Sequence, residues 1–345
     1  MSETLVSNEV KPRETTASLK KPSSLQKGFL VILLSLLVSF PLLQFVTEGS
    51  LNYWLHMLLF TFMYIAMASS WNIIGGYAGY TSLGHNVFFA VGGYFVGILL
   101  VYYDISPFIT APIAGLVSMA LGLLVGLISL RTRGPAFIIS TIALVMLVKI
   151  TFDNWDYIGG TNGMTMPPIL SISLDLVKFP FYYYMLIIAI GAVYMSYRIR
   201  HSKFGLGLRA ISQDEIKAEV AGIPTNYYKI LAFGISGLFV GMAGGIWGYY
   251  LTYLRPNIFL LIIIAAQLVL MTVLGGKGTV AGPVVGASLF ILVNEFFVAK
   301  LGFTELNIVA TGLLLALVLI FFPLGIVGTL KKWGLLPIFF FLDWD

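Results

Sequence analysis

Cysteine is absent from the 345-residue sequence. Disulfides, thiolate nucleophiles and cysteine-ligated metals are therefore excluded. Charge is nearly as scarce. Asp, Glu, Lys and Arg together make up 10% of the chain, where soluble domains carry about 25%. Too few charges remain to cover a water-facing surface or to make a nucleic-acid binder. The three histidines, His56, His85 and His201, stand at no metal-ligand spacing. No G-x-S-x-G elbow and no His-Glu-x-x-His occurs. Gly275-Gly-Lys-Gly-Thr lacks the G-x-x-x-x-G-K-[ST] spacing of a phosphate-binding loop and follows an apolar run rather than a strand. Enzyme chemistry and direct ATP binding thus find no support.

Apolar residues dominate instead, at 59% of the chain and a mean hydropathy of +0.94. A bilayer core about 30 Å thick needs about 20 apolar residues per helix. Ten runs qualify, over 28–46, 54–73, 83–102, 108–130, 135–152, 181–198, 229–252, 258–274, 280–298 and 306–323. They are too long and too continuously apolar for alternating barrel strands. The expected fold is all-α, a polytopic helical membrane protein with about ten transmembrane helices. With the N-terminus placed in the cytoplasm, all of the 20 basic residues except Lys149, Lys178, Arg255 and Lys300 fall on the inside. That asymmetry follows the positive-inside rule and predicts both termini to be cytoplasmic. No cleavable signal is expected before the first span. Residues 1–27 read as a polar tail, 28–330 as one integrated bundle, and 331–345 as an interfacial tail. Two connections are long: an outer loop over 153–179 and an inner loop over 198–228.

Glycine is frequent, with 36 residues, and recurs at small-xxx-small spacing in Gly75/Gly79, Gly93/Gly97, Gly122/Gly126, Gly237/Gly241/Gly245 and Gly282/Gly286. In lipid such spacing permits close helix contact. Gly75-Gly76 and Gly275-Gly276 each follow a span. They are read either as broken helices lining a cavity or as ordinary turns. Polar residues inside the spans are few: Asn72, Ser82, His85, Asn86, Ser140, Thr141, Gln267 and Asn294. None is a carboxylate near a span centre. Ion-coupled carriers commonly bury such a group, so energy for pumping is expected from elsewhere. For His85 and Gln267, hydrogen bonds between helices and substrate contact both remain open.

The inner loop carries a helix signal over 212–221. Ser212 is placed to cap it, Glu215 to complete a capping box, and Gly222 with Pro224 to stop it. Here a resemblance emerges. Arg209-Ala-Ile-x-x-Asp-Glu-Ile-x-Ala-x-x-x-Gly-Ile, followed by Lys229 and Ala232-Phe233, resembles the cytoplasmic coupling loop of branched-chain amino acid ABC transporter permeases. Trp71-Asn-Ile-Ile-Gly-Gly-Tyr-Ala-Gly-Tyr-Thr-Ser-Leu-Gly-His85 is similar to the family's N-x-x-x-G-x-x-G-x-x-S-L-G-H segment. Gly159-Gly-Thr-Asn-Gly163 resembles its outer-loop G-G-T-x-G, the mark of the M-type subunit. Val273-Leu-Gly-Gly-Lys-Gly-Thr, Gly282-Pro-Val-Val-Gly and Pro323-Leu-Gly-Ile match its late blocks in order. Tyr80 departs from the family, which often has Gln there.

The resemblance implies a permease subunit of an importer in the cell (inner) membrane, working by alternating access. Its implied partners are a second permease subunit, two cytoplasmic ATPase subunits that bind the ATP and Mg, and an extracytoplasmic substrate-binding protein. No cofactor, metal or nucleic acid is implied for this chain. Arg209, Asp214, Glu215, Ala218, Ala221 and Gly222 are the implied ATPase-coupling residues. Asn72, Gly76, Gly79, Ser82, Gly84, His85 and Gln267 are candidates for the transport pathway. Gly160, Thr161, Asn162 and Gly163 are expected to face the binding protein. The alternatives are a urea or amide importer permease, which shares several of these blocks, and a stand-alone secondary carrier.

Overall fold

The computed structural model describes residues 24–45, 51–132, 134–169, 176–295, 322 and 325–332. The long helices are α1 (Ser24–Ser39), α2 (Asn52–Asn72), α3 (His85–Tyr103), α4 (Pro107–Ser129), α5 (Pro135–Asp153) and α6 (Lys178–Arg200). After two short helices, α7 (Lys203–Gln213) and α8 (Glu215–Val220), come α9 (Thr225–Leu251), α10 (Pro256–Phe259), α11 (Ile262–Gly275) and α12 (Ala281–Glu295), and α13 (Gly325–Lys332) lies furthest along the chain. The fold is all-α and polytopic. Among the described residues, seven segments are long and apolar enough to cross a membrane: Asn52–Tyr77, His85–Tyr103, Pro107–Ser129, Pro135–Asp153, Lys178–Arg200, Thr225–Leu251 and Pro256–Gly275. Val31–Gln44 and Ala281–Glu295 are shorter apolar helices at the predicted first and ninth spans. The predicted tenth span, 306–323, apart from Phe322, the tail at 333–345 and most of the N-terminal tail lie outside the described residues. Helix α1 starts at Ser24, four residues before the predicted boundary.

The seven long spans coincide with predicted ones because lipid offers the backbone no alternative hydrogen-bond partner. Proline marks several starts. Pro107, Pro135 and Pro256 occupy first-turn positions, where the missing N–H costs nothing. Helix α2 is the central post. Its membrane window is 89% buried, and α6, α9, α11 and α12 pack around it. Helices α3 and α4 pack on α9 through small residues. A Cβ at Gly241 would stand 2.1 Å from Ser118 Oγ, and one at Gly92 would stand 2.0 Å from the Gly241 carbonyl. Backbone contact this close is the main route to tight association where solvent provides no drive. Helix α5 is the least embedded span, with 28% of its window buried.

The two predicted breaks resolve differently. Gly75 and Gly76 lie within a π-helical turn, Ile73–Tyr77, that continues α2. Segment 78–84 then runs without helix back into the bundle, and α3 starts only at His85. Gly276 and Gly278 form a turn between α11 and α12, both at positive φ (130° and 79°).

The inner loop requires a correction. Helix 212–221 capped by Ser212 is replaced by two helices. Ser212 lies inside α7, which is capped by Ser202, whose Oγ accepts from the Gly205 N–H at 3.1 Å. The chain breaks at Asp214, held extended at φ −161° and ψ 109°. Its Oδ1 accepts from the N–H groups of Ile216 and Lys217, both at 3.1 Å. A carboxylate two residues nearer the acidic turn outcompetes the serine for the orphan amides. Helix α8 ends as read, at Gly222 (φ 88°). The Ile223 N–H bonds to the Ala218 carbonyl and the Gly222 N–H to that of Glu219, both at 3.0 Å, which is a Schellman closure.

Candidate functional site

One end of the bundle gathers most of the residues singled out above. Here the π-helical turn, segment 78–84, the 276–279 turn, α7 and α8 meet the ends of α4, α5, α6 and α9. Asn72 is fully buried. Its amide donates to the Thr279 carbonyl at 2.7 Å, and its carbonyl accepts from the Gly278 N–H at 3.0 Å. Gly76 packs beneath, where a Cβ would lie 1.8 Å from Asn72 Oδ1. Buried Arg200, the last residue of α6, donates to the Gly278 carbonyl at 3.2 Å. The two glycine-rich breaks are thus one joint.

Segment 78–84 is fixed on both sides. Trp71 Nε1 donates to the Ser82 carbonyl at 2.8 Å. The Leu83 N–H bonds to Thr141 Oγ1 of α5 at 3.1 Å. Gly79, at φ 79°, lies against Ser212 of α7. His85 contacts Ser82 Oγ through Nδ1 at 3.2 Å and Ser236 Oγ of α9 through Nε2 at 3.0 Å. Ser236 Oγ itself donates to the Phe233 carbonyl at 2.7 Å, so it accepts from Nε2–H. Ser82 Oγ accepts from the Gly84 N–H at 3.2 Å and donates to Nδ1. In the neutral ring these bonds favour the tautomer with its proton on Nε2. Both ring nitrogens are engaged.

Sequence reasoning did not find the most strongly polar feature here. Lys229 lies in the second turn of α9, 1% exposed, with its Nζ 2.6 Å from Glu215 Oε1 of α8, itself 11% exposed. Lys229 also donates to the Leu130 carbonyl at 3.3 Å and to Tyr80 Oη at 3.4 Å, and it stands 5.1 Å from the Tyr80 ring centre. The Tyr80 hydroxyl donates to the other Glu215 oxygen. Removing one member of such a pair strands a buried charge, a loss of about 3–5 kcal/mol. The available signal was a lysine inside an otherwise apolar span.

The coupling candidates divide by face. Glu215 and Ala218 turn inward, while Ala221 and Gly222 are exposed beside Ile216 (63% exposed) and Val220 (85%). Arg209 lines a cleft of about 370 Å³ with Gly76, Tyr77, Ser212 and Gly278. A second cleft, about 390 Å³, lies between segment 78–84, the start of α5 and Glu215. Gln267 is apart from this group. Its Oε1 accepts from the Tyr64 hydroxyl at 3.2 Å, within the α2–α11 contact.

At the opposite end, Gly159, Gly160 and Gly163 all adopt positive φ. The tight loop sets strand β1 (Met164–Thr165) antiparallel to β2 (Tyr253–Leu254). Gly160 is buried, and Thr161 and Asn162 are exposed. Tyr253 Oη donates to the Asn162 carbonyl at 2.6 Å. Residues 170–175 of the outer loop lie outside the described residues. Among the described residues, no group of three or more His, Asp or Glu is placed to hold a metal ion.

The family model for the branched-chain amino acid transport system permease component matches residues 53–323. The chain belongs to this family. The Escherichia coli K12 high-affinity branched-chain amino acid transport system permease protein LivM is 28% identical over 88% of this chain and 75% of its own length. LivM of Salmonella typhimurium is 27% identical with the same shares. The high-affinity branched-chain amino acid transport system permease protein LivH of Escherichia coli K12 is 31% identical, but over only 38% of this chain and 41% of its own. Coverage therefore places the chain with the LivM-type permeases. No solved structure matches it. The family and the apolar helices make it a multi-pass inner-membrane permease component.

Proposed function

We propose that this permease imports branched-chain amino acids by alternating access, powered through α8 by ATPase partners. The observation that carries the proposal is the geometry of α8. A short helix is anchored inward by Glu215 and Ala218 and presents Ile216, Val220, Ala221 and Gly222 outward. Apolar side chains on a polar loop suit a protein cleft rather than water. ATP and Mg belong to two such partners at this end, taken as cytoplasmic because its loops carry most of the basic residues.

On this reading a second permease subunit completes the pathway, and a substrate-binding protein meets Thr161 and Asn162, presented by Gly160 and Gly163 at the far end. Asn72, Gly76, Gly79, Ser82, Gly84 and His85 shape the inner part of the pathway by fixing its backbone. Gln267 contributes higher in the bundle. The LivM relatives' description as branched-chain amino acid permeases supports that substrate class over urea. Uptake of radiolabelled leucine into vesicles holding the complete transporter is the test. ATP-dependent uptake competed by isoleucine and valine, and untouched by urea, is expected. Uptake that needs no ATP contradicts the proposal.

A further inference from the structure

Helix α8 turns two residues inward: Ala218 is buried and Glu215 is 11% exposed. The Glu215 carboxylate is shared between Lys229 of α9 and Tyr80 of segment 78–84. Lys229 in turn holds the carbonyl of Leu130, the C-cap of α4. One ion pair therefore collects α8, α9, the end of α4 and the re-entrant segment.

From Tyr80 the contacts continue inward. Its ring meets Phe137 of α5 edge-on at 5.3 Å. Phe137 meets Phe233 of α9 at 6.1 Å. Phe233 meets His85 at 5.7 Å, and His85 holds Ser82 and Ser236. Packed aromatic rings do not compress, so displacement at one end is passed on rather than absorbed. The buried ion pair ties the chain of contacts to α8, because movement of α8 either carries Lys229 and Tyr80 with it or breaks the pair.

We infer that Glu215, Lys229 and Tyr80 form the internal link that turns movement of α8 into movement of segment 78–84. These are positioning residues, distinct from the outward surface that meets the ATPase. The inference rests on the ATPase-coupled reading above. It assigns to Glu215 a role inside the permease rather than on the docking face.

The test uses the complete transporter in proteoliposomes, with ATP hydrolysis and amino acid uptake measured on the same preparation. Glu215→Gln and Lys229→Met should still co-purify with the ATPases and still hydrolyse ATP. Uptake per ATP should fall by about tenfold in each, within the usual range of coupling free energies. The double variant should lose no more than the worse single one, since the two act as a pair. Lys229→Arg, which keeps the charge, should retain most of the wild-type ratio. An unchanged uptake-per-ATP ratio in intact single variants overturns the inference. So does loss of the ATPases from them, which would make the pair part of the docking face. Should the single variants fail to reach the membrane, Tyr80→Phe keeps the ring and removes only the hydroxyl. A lowered ratio there supports the link, and an unchanged ratio overturns it. A wild-type complex without any ATPase would instead refute the coupled-importer reading itself.

Discussion

Asn72 and Gly278 are 206 residues apart in the chain, and the N–H of Gly278 bonds to the Asn72 side-chain carbonyl at 3.0 Å. The other half of the same amide donates to Thr279. One side chain therefore welds the turn after α2 to the turn after α11. Arg200 reinforces the weld from α6. The joint lies beside the cleft that Arg209 lines, so that cleft is built on a hydrogen-bonded frame.

Asn72→Leu removes both bonds and leaves a backbone N–H and a carbonyl without that partner. Each stranded buried group costs about 1–3 kcal/mol. The purified complex should lose thermal stability, and a cysteine placed at Lys277 should react faster with a water-soluble maleimide. Unchanged stability together with unchanged labelling would show that the clamp is not carrying the joint.

Gly286 sets the approach of α12 to α11. A Cβ there would lie 1.8 Å from the Met271 carbonyl, and a backbone oxygen cannot rotate away. Gly286→Ala should cost about 1–3 kcal/mol by overpacking and lower the temperature at which the detergent-solubilised protein aggregates. Gly28→Ala, with nothing within 4 Å of the new atom, is the control and should be neutral or slightly stabilising.

Asp214 controls α8 through its cap. Backbone hydrogen bonding from Lys217, with the Lys217 side chain beside it at 3.1 Å, holds its carboxyl below the usual value of 3.8. A depressed carboxyl pKa stabilises the fold above the ordinary value, and that contribution is lost as pH falls through the lowered one. Near neutral pH the cap should be insensitive to pH. In acid, amide exchange at Ile216 and Lys217, corrected for its intrinsic pH dependence, should rise. Asp214→Ala should show the raised exchange already at pH 7, whereas Asp214→Asn, still a good cap, should show little of it. Equal exchange in wild type and Asp214→Ala would remove the cap assignment.

The spans were legible because their signal is local. Twenty apolar residues leave lipid as the only solvent and the helix as the only satisfied backbone. The Gly222 stop was legible for a similar reason, since a left-handed residue after a helix favours glycine. Helix α7 was not. Gly205 and Gly207 depress its intrinsic propensity, and only the fold shows why they are there. A Cβ at Gly205 would meet the Ile199 carbonyl at 2.0 Å, and one at Gly207 the Tyr228 ring at 2.3 Å. The choice of Asp214 over Ser212 as cap was a contest between neighbouring acceptors that spacing alone does not decide. The Asn72–Gly278 pair was beyond reach, because nothing in one stretch of chain encodes which distant stretch will face it. Asn72 was visible as a costly polar group in a span. Its partner was not.

Recovery of the tagged chain from native membranes in mild detergent, with its companions read by mass spectrometry, tests the central claim most directly. Gly222 is exposed, with open space where a side chain would go. Gly222→Arg should therefore leave the bundle intact and disturb only α8, straining its left-handed closure at φ 88° and crowding its outward surface. The account predicts a co-purifying subunit carrying a phosphate-binding G-x-x-x-x-G-K-[ST] loop, present with the wild-type chain and lost from Gly222→Arg. A chain that purifies without such a subunit, yet transports leucine after reconstitution alone, would contradict it.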